Sequence, residues 1–138
     1  MASISTPVTV EWEDCDPAGI VFYPKFFAFF DQSSWNLFYE VGLTWEVMKE
    51  RFGAVGIPIV DAHAQFRYPC RFKDRLTVTS TITEWKTKTL KVTHTIHNGE
   101  HLAVTGYEVR IWGLPHPDDP RRLKSVPFPD EVIDKLRG

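Results

Sequence analysis

Cysteine is scarce. Cys15 and Cys70 are the only two in 138 residues, too few for a disulfide framework. No apolar run approaches the roughly 18 residues that cross a bilayer as a helix, and no basic start leads into an apolar h-region. The expectation is therefore a cytoplasmic protein with no signal peptide and no membrane association. Charge of one sign is not in excess. Sixteen Lys and Arg face 18 Asp and Glu, a formal net charge of -2, which argues against a general nucleic-acid binder. The sequence also has no Gly-x-Ser-x-Gly elbow, no Gly-rich phosphate loop, no His-Glu-x-x-His and no paired Cys-x-x-Cys. His94 and His97, three apart on an expected strand, point to opposite faces and cannot share a metal ion.

Aromatic and apolar residues are plentiful. Hydrophobic residues make up 43% of the chain and aromatics 14%, with ten Phe and five Trp. That is enough for one real core in a single domain, residues 1–138, with flat apolar surface left over for a pocket or a subunit interface. Charge is unevenly spread. Residues 1–69 carry four basic and nine acidic side chains, and residues 70–138 carry twelve and nine. Six basic residues between Arg71 and Lys91 face only Asp74 and Glu84. This stretch is either a solvated strand face or a site for an anionic ligand.

The periodicities predict an α+β fold. A strand is expected over Val8 to Glu13, ending in the turn formers Asp14 to Gly19. A long helix follows, with Pro24 in its first turn and Gly42 at its C′ position. Its apolar residues Phe22, Phe26, Phe29, Phe30, Leu37, Phe38 and Val41 do not keep to one narrow stripe, which suggests burial on most sides. A short helix is expected from Thr44, its N-cap, to Arg51, stopped by Gly53. After Gly56 the period becomes two. Ile57 to Tyr68 is extended. Leu76, Val78 and Ile82 alternate with threonines, Leu90, Val92 and Ile96 with polar residues, and Tyr107, Val109 and Ile111 with Glu108 and Arg110. Asn98-Gly99 marks a two-residue hairpin. Pro-rich coil is expected after Trp112, and a short helix over Asp130 to Leu136. One sheet covers only part of so apolar a helix, which predicts a dimer.

The chemistry concentrates at Asp14-Cys15-Asp16-Pro17-Ala18-Gly19-Ile20-Val21-Phe22-Tyr23-Pro24. A carboxylate there lies between a strand end and a helix N-terminus whose free N–H groups can bind a carbonyl oxygen as it gains charge. The carboxylate can attack that carbonyl or activate a water. The plainer reading makes Asp14 or Asp16 a helix cap. Cys15 is a further candidate nucleophile, or simply a small apolar residue.

This stretch resembles the signature of the 4-hydroxybenzoyl-CoA thioesterase family of the hot-dog fold, in which a curved antiparallel sheet wraps a long buried helix. The similarity runs from Val10 to about Trp112. It includes Phe30-Asp31, Gly42-Leu43 with Trp45, Gly56 to Val60, Glu84-Trp85-Lys86 and Glu108-Val109-Arg110. The resemblance implies Asp16 as nucleophile or base and the Tyr23 N–H as the group that polarises the thioester carbonyl. It implies Asp31 as acceptor of a ring hydroxyl, Trp45 as a wall of the acyl site, and Lys86 and Lys88 as holders of the CoA phosphates. Phe27, Phe29, Ile57 and Thr87 depart from the pattern. Asp31, about 12 Å along the helix from Tyr23, either meets the far end of an acyl group or pairs internally with Arg67 or His63.

The resulting expectation is an acyl-CoA thioesterase with no metal or redox cofactor. Its homodimer would share active sites, and the resemblance implies a tetramer. The alternatives are a thioesterase for short aliphatic acyl-CoA or acyl carrier protein, a dehydratase, or a non-catalytic acyl-CoA binder. A dehydratase of this fold typically uses a His, and none stands near this loop or helix.

Overall fold

The computed structural model describes residues 2–138. The chain runs β1 (Ser3–Thr9), a 3-10 turn (Trp12–Asp14), α1 (Pro24–Glu40), α2 (Trp45–Phe52), β2 (Ile59–Phe66), β3 (Arg75–Trp85), β4 (Thr89–Asn98), β5 (His101–Pro115), β6 (Leu123–Val126) and α3 (Asp130–Arg137). The strands form one antiparallel sheet in the order β1-β3-β4-β5-β2, with β6 added against the end of β5. The long α1 crosses one face of it. This is the α+β hot-dog arrangement. No helix among the described residues is long and apolar enough to cross a membrane.

The helix limits follow local chemistry. Pro24 occupies the first turn of α1, and Gly42, at φ 81°, takes the left-handed conformation that ends it. The Thr44 hydroxyl accepts the Val47 N–H at 3.2 Å to cap α2, and Gly53 closes it at φ 64°. The β4–β5 turn pairs Asn98 with His101, so Gly99 and Glu100 form its loop. Gly99 has φ 61° and no other residue of the turn has positive φ, as in a II′ turn, so the loop lies one residue later than Asn98-Gly99 suggests.

Four expectations are corrected. β1 lies at Ser3–Thr9 rather than Val8–Glu13, because Asp14 accepts the Glu11 N–H (2.9 Å) and turns Glu11 to Asp14 into a local 3-10 turn. β5 runs on to Pro115 and pairs with β6 where coil is expected, the prolines falling at strand ends and in the turn between them. α1 is buried along one stripe, not on most sides. Phe26, Phe29, Phe30, Ser33, Ser34, Leu37 and Phe38 are its buried residues, a spacing of three and four in which two serines fill the middle. In β5 the polar set, Glu108 and Arg110, faces α1, while Tyr107, Val109 and Ile111 stay partly exposed. Ser80 and His94 likewise take inward positions among Leu76, Val78, Ile82, Leu90, Val92 and Ile96. The core is thus two apolar clusters, one around Leu37, Phe38 and Trp112 and one around Phe26, Phe30 and Val78. The buried polar groups of α1, β3, β4 and β5 are set among them.

Candidate active site

The loop from Asp14 to Tyr23 is held by its own backbone. Cys15 bridges to Val21, the Asp16 N–H donates to Ile20 O at 3.0 Å, and the Gly19 N–H donates to Asp16 O at 2.9 Å. Gly19 supplies the positive φ of 79° that this turn requires. Ile20 bridges to Arg71, and the Val21 N–H donates to Cys70 O at 2.8 Å, which fastens the loop to the chain leaving β2. Asp16 is partly exposed. Its Oδ1 accepts the Ala18 N–H at 2.9 Å, and its Oδ2 has no partner among the described residues.

Tyr23 stands at the N-cap of α1 in helical conformation, with no side chain capping it. Neither Asp14 nor Asp16 therefore caps this helix. Pro24 has no N–H to offer. The Tyr23 N–H itself meets no acceptor among the described residues, while its neighbour Phe22 donates to Asp14 O at 2.8 Å. A free main-chain donor thus stands seven residues after a free carboxylate oxygen, both fixed by the same loop.

Asp16 and Tyr23 line one cavity of about 380 Å³, with Phe26, Phe66, Tyr68 and Cys70 among its other walls. On the far side of the loop Asp16 also borders a cavity of about 400 Å³ walled by Trp12, Cys15 and Phe72. Burial, helped by the charge of Asp74, pushes the Cys70 thiol up to about 11, so it stays protonated at neutral pH. An N–H and a carboxylate on one cavity wall can serve a carbonyl from two directions. One binds its oxygen and the other attacks its carbon or activates a water.

The other residues singled out by sequence lie apart from this cavity within one chain. Asp31 is half exposed, and its Oδ1 accepts from Arg110 Nη2 at 2.6 Å; its partner is neither Arg67 nor His63. Trp45 is 48% exposed and lines an open groove of about 420 Å³ with Trp35 and Tyr39 on α1. Lys86 and Lys88 sit on the β3–β4 hairpin, closed by Lys86 N–H to Thr89 O at 2.8 Å. Lys86 and Lys91 flank Glu84 at 3.4 and 3.5 Å, and hold its carboxyl below the ordinary range, Lys86 contributing most. Lys88 has no carboxylate partner among the described residues.

Two features escape sequence reasoning. Phe66 and Tyr68 reach the Asp16 cavity because the loop is hydrogen-bonded to Cys70, a tertiary contact with no local signature. The second is a buried polar network. His94, Glu108 and Arg110 are each at most 1% exposed and bonded to one another. Its signal was available: polar residues at inward strand positions, opposite two serines in the middle of an apolar helix stripe.

Residues 10–136 match the thioesterase-like superfamily. The chain is 33% identical to 4-hydroxybenzoyl-CoA thioesterase of Pseudomonas sp. strain CBS-3, over 96% of each. It is 28% identical to 1,4-dihydroxy-2-naphthoyl-CoA hydrolase of Thermosynechococcus vestitus, over 94% of this chain and 86% of that one. Among solved structures, an aspartate-to-asparagine mutant of 4-hydroxybenzoyl CoA thioesterase complexed with 4-hydroxybenzoyl CoA superposes with a TM-score of 0.92. That pair is 30% identical over 99% of each chain. The chain belongs to the thioesterase-like superfamily, with the hot-dog fold of the 4-hydroxybenzoyl-CoA thioesterases, and is a thioester hydrolase.

Proposed function

We propose that the chain hydrolyses an aromatic acyl-CoA thioester carrying a ring hydroxyl, of the 4-hydroxybenzoyl kind, to the free acid and CoA. The observation that carries the proposal is the pairing of a free Asp16 oxygen with a free Tyr23 N–H on one cavity wall. The relatives named above act on hydroxylated aromatic acyl-CoA esters, which supports the acyl class.

In this reading the thioester carbonyl oxygen accepts the Tyr23 N–H and is polarised. That donor is preorganised, because it already points from a fixed helix start and gives up no protein partner to bind the oxygen. As nucleophile, Asp16 adds a carboxylate oxygen to the carbonyl carbon, the C–S bond breaks, and CoA leaves as a thiolate. Water then opens the mixed anhydride to regenerate the carboxylate. As base, Asp16 removes a proton from a water that attacks the same carbon. Neither route calls for a metal or redox cofactor, and coenzyme A is part of the substrate. Lys86 and Lys88 attract the CoA phosphates through charge, and Trp45 forms an acyl wall.

The reading includes a homodimer, because Asp16, Asp31, Trp45 and the lysine hairpin do not meet within one chain. The exposed edge strand β2, with Ile59, Val60 and Phe66 at 43%, 58% and 49% exposure, suits pairing with a second copy. Dimers associating into a tetramer follow the same reading. Light scattering measures both.

One observation favours a second reading, a plain aliphatic acyl group: Asp31 already has a cationic partner in Arg110. Thiol release measured over 4-hydroxybenzoyl-, benzoyl- and short aliphatic acyl-CoA separates the two. The proposal expects the highest kcat/KM with the hydroxylated ester. Equal values for the aromatic pair, or a preference for aliphatic chains, would overturn the acyl assignment. No thiol release with intact ester binding would make the chain a non-catalytic binder.

A further inference from the structure

The buried network deserves a function because it is expensive. Arg110 and Glu108 are 2% and 1% exposed in their side chains, and isolated charges at that depth would carry a large desolvation penalty. Four guanidinium contacts fix Arg110. Nε donates to Glu108 Oε1 at 3.2 Å, Nη2 to Glu108 Oε2 at 3.0 Å, Nη1 to Ile57 O at 2.7 Å, and Nη2 to Asp31 Oδ1 at 2.6 Å. Glu108 is held in turn. His94 Nε2 lies 2.9 Å from its Oε1, and the Ser34 hydroxyl donates to the same oxygen. Behind His94, Nδ1 is 2.6 Å from Ser80 Oγ, Ser80 is 2.6 Å from Ser33, and Thr6 donates to Ser33 at 3.1 Å. The imidazole also stacks on Phe30 at 4.3 Å. Among the described residues no buried side-chain polar atom lacks a partner.

At its far end this scaffold runs from Thr6 to half-buried Asn36, whose Nδ2 donates to Thr6 Oγ1 at 3.2 Å, and at its Arg110 end it meets solvent at Asp31. Asp31 is 48% exposed, its Oδ1 is taken by Arg110, and its Oδ2 has no partner among the described residues. An exposed aspartate alone is free to turn about its side-chain bonds. Here one carboxylate oxygen is tied to a cation that cannot move, which fixes the direction in which the other oxygen points. Lysine in the place of Arg110 would keep the charge but lose the planar fork that reaches Glu108, Ile57 and Asp31 together.

We infer that Arg110 is a specificity-positioning residue. Clamped by Glu108 and His94, it holds the Asp31 carboxylate so that Oδ2 receives the donor group of the acyl moiety. This rests on the proposed reading of Asp31 as the acceptor of a ring hydroxyl. Arg110 does not touch the substrate and acts through Asp31. No residue of the network lines the Asp16–Tyr23 cavity, so it governs which ester is used and not how the carbonyl is attacked.

The test is a double-mutant cycle read as a ratio. The kcat/KM for 4-hydroxybenzoyl-CoA is divided by that for benzoyl-CoA in the unaltered protein, Arg110→Lys, Asp31→Asn and the double variant. Arg110→Lys should lower the ratio about tenfold, the scale of one charge-assisted hydrogen bond, and change the benzoyl-CoA value less than about twofold. In the Asp31→Asn background the same change should leave the ratio as it is. Equal losses for both esters in Arg110→Lys, or an undiminished effect without the Asp31 charge, would overturn the inference and make Arg110 structural only. A ratio near one in the unaltered protein, or one indifferent to Asp31→Asn, would instead sink the hydroxyl reading itself. A second measurement needs no variant, and decides the matter if Arg110→Lys does not fold. In ¹⁵N-arginine-labelled protein, the buried Arg110 Nε–H signal should move when a non-hydrolysable 4-hydroxyphenacyl-CoA thioether binds and stay in place with the phenacyl analogue. Equal shifts for the two ligands, or none with either, contradict the inference.

Discussion

Glu108 Oε1 and His94 Nε2 lie 2.9 Å apart, and solvent reaches neither side chain. Burial pushes the Glu108 carboxyl up, but the His94 hydrogen bond, the Arg110 charge and Ser34 together outweigh it and hold the group below its ordinary value. The carboxyl is thus more acidic folded than unfolded. Its stabilisation is fully present above the unfolded value of about 4.3 and is lost as pH falls through the folded one. Glu108→Gln removes the titration and breaks a buried pair. Near pH 7 it should cost on the order of 3 kcal/mol. That gap from the unaltered protein should narrow below about pH 4. Urea midpoints at several pH values measure it, and a gap constant down to the acid limb would remove Glu108 as a titrating contributor.

The lysine hairpin carries its own counter-charge. Glu84 sits between Lys86 and Lys91, so part of the positive field is already spent there, and Lys88 is the freer cation. Lys88→Ala should raise KM for the CoA ester and Glu84→Gln should lower it, each roughly two- to fivefold, with kcat unchanged. Both effects should shrink as added salt shortens the screening length from about 8 Å toward about 3 Å. A KM that ignores both changes and the salt would move the phosphates elsewhere, with Arg121, Arg122 and Lys124 next in line.

Gly106 keeps the helix against the sheet. A Cβ there would come within 2.7 and 2.9 Å of the Phe30 ring and press into the His63 carbonyl. Phe30 is the ring stacked on His94. Gly106→Ala should therefore destabilise by about 1–3 kcal/mol, and lower Tm by at least about 3 °C. An unchanged Tm would mean that Phe30 moves aside freely and does not lock the imidazole.

The elements were legible where one physical rule acted alone. Pro24, Gly42, Thr44 and Gly53 bound the helices because each meets a backbone demand of a helix end. The β3 and β4 alternations held because their apolar residues face α1. β5 was harder, since its inward face carries Glu108 and Arg110, and hydrophobicity cannot reveal a buried ion pair whose further partners, His94 and Asp31, lie on β4 and α1. The buried stripe of α1 is hard to read from hydrophobicity for the same reason: Ser33 and Ser34 complete it but do not look apolar. At the site, Asp16 and Tyr23 could be joined from sequence because one short loop holds both. The partner of Asp31 could not, because Arg110 comes from a strand 79 residues away.

In the proposed reaction Asp16 carries the chemistry while the Tyr23 N–H holds the carbonyl oxygen. Asp16→Asn preserves the shape of the side chain, keeps an oxygen for the Ala18 N–H, and removes the negative charge and basicity. The direct measurement is single-turnover cleavage of 4-hydroxybenzoyl-CoA by this variant, alongside its Kd for the same ester. The expected rate is lower by at least about 10²-fold, with a Kd within about threefold of the unaltered protein's. A near-normal rate would contradict it and pass the role to Asp14 or Cys15.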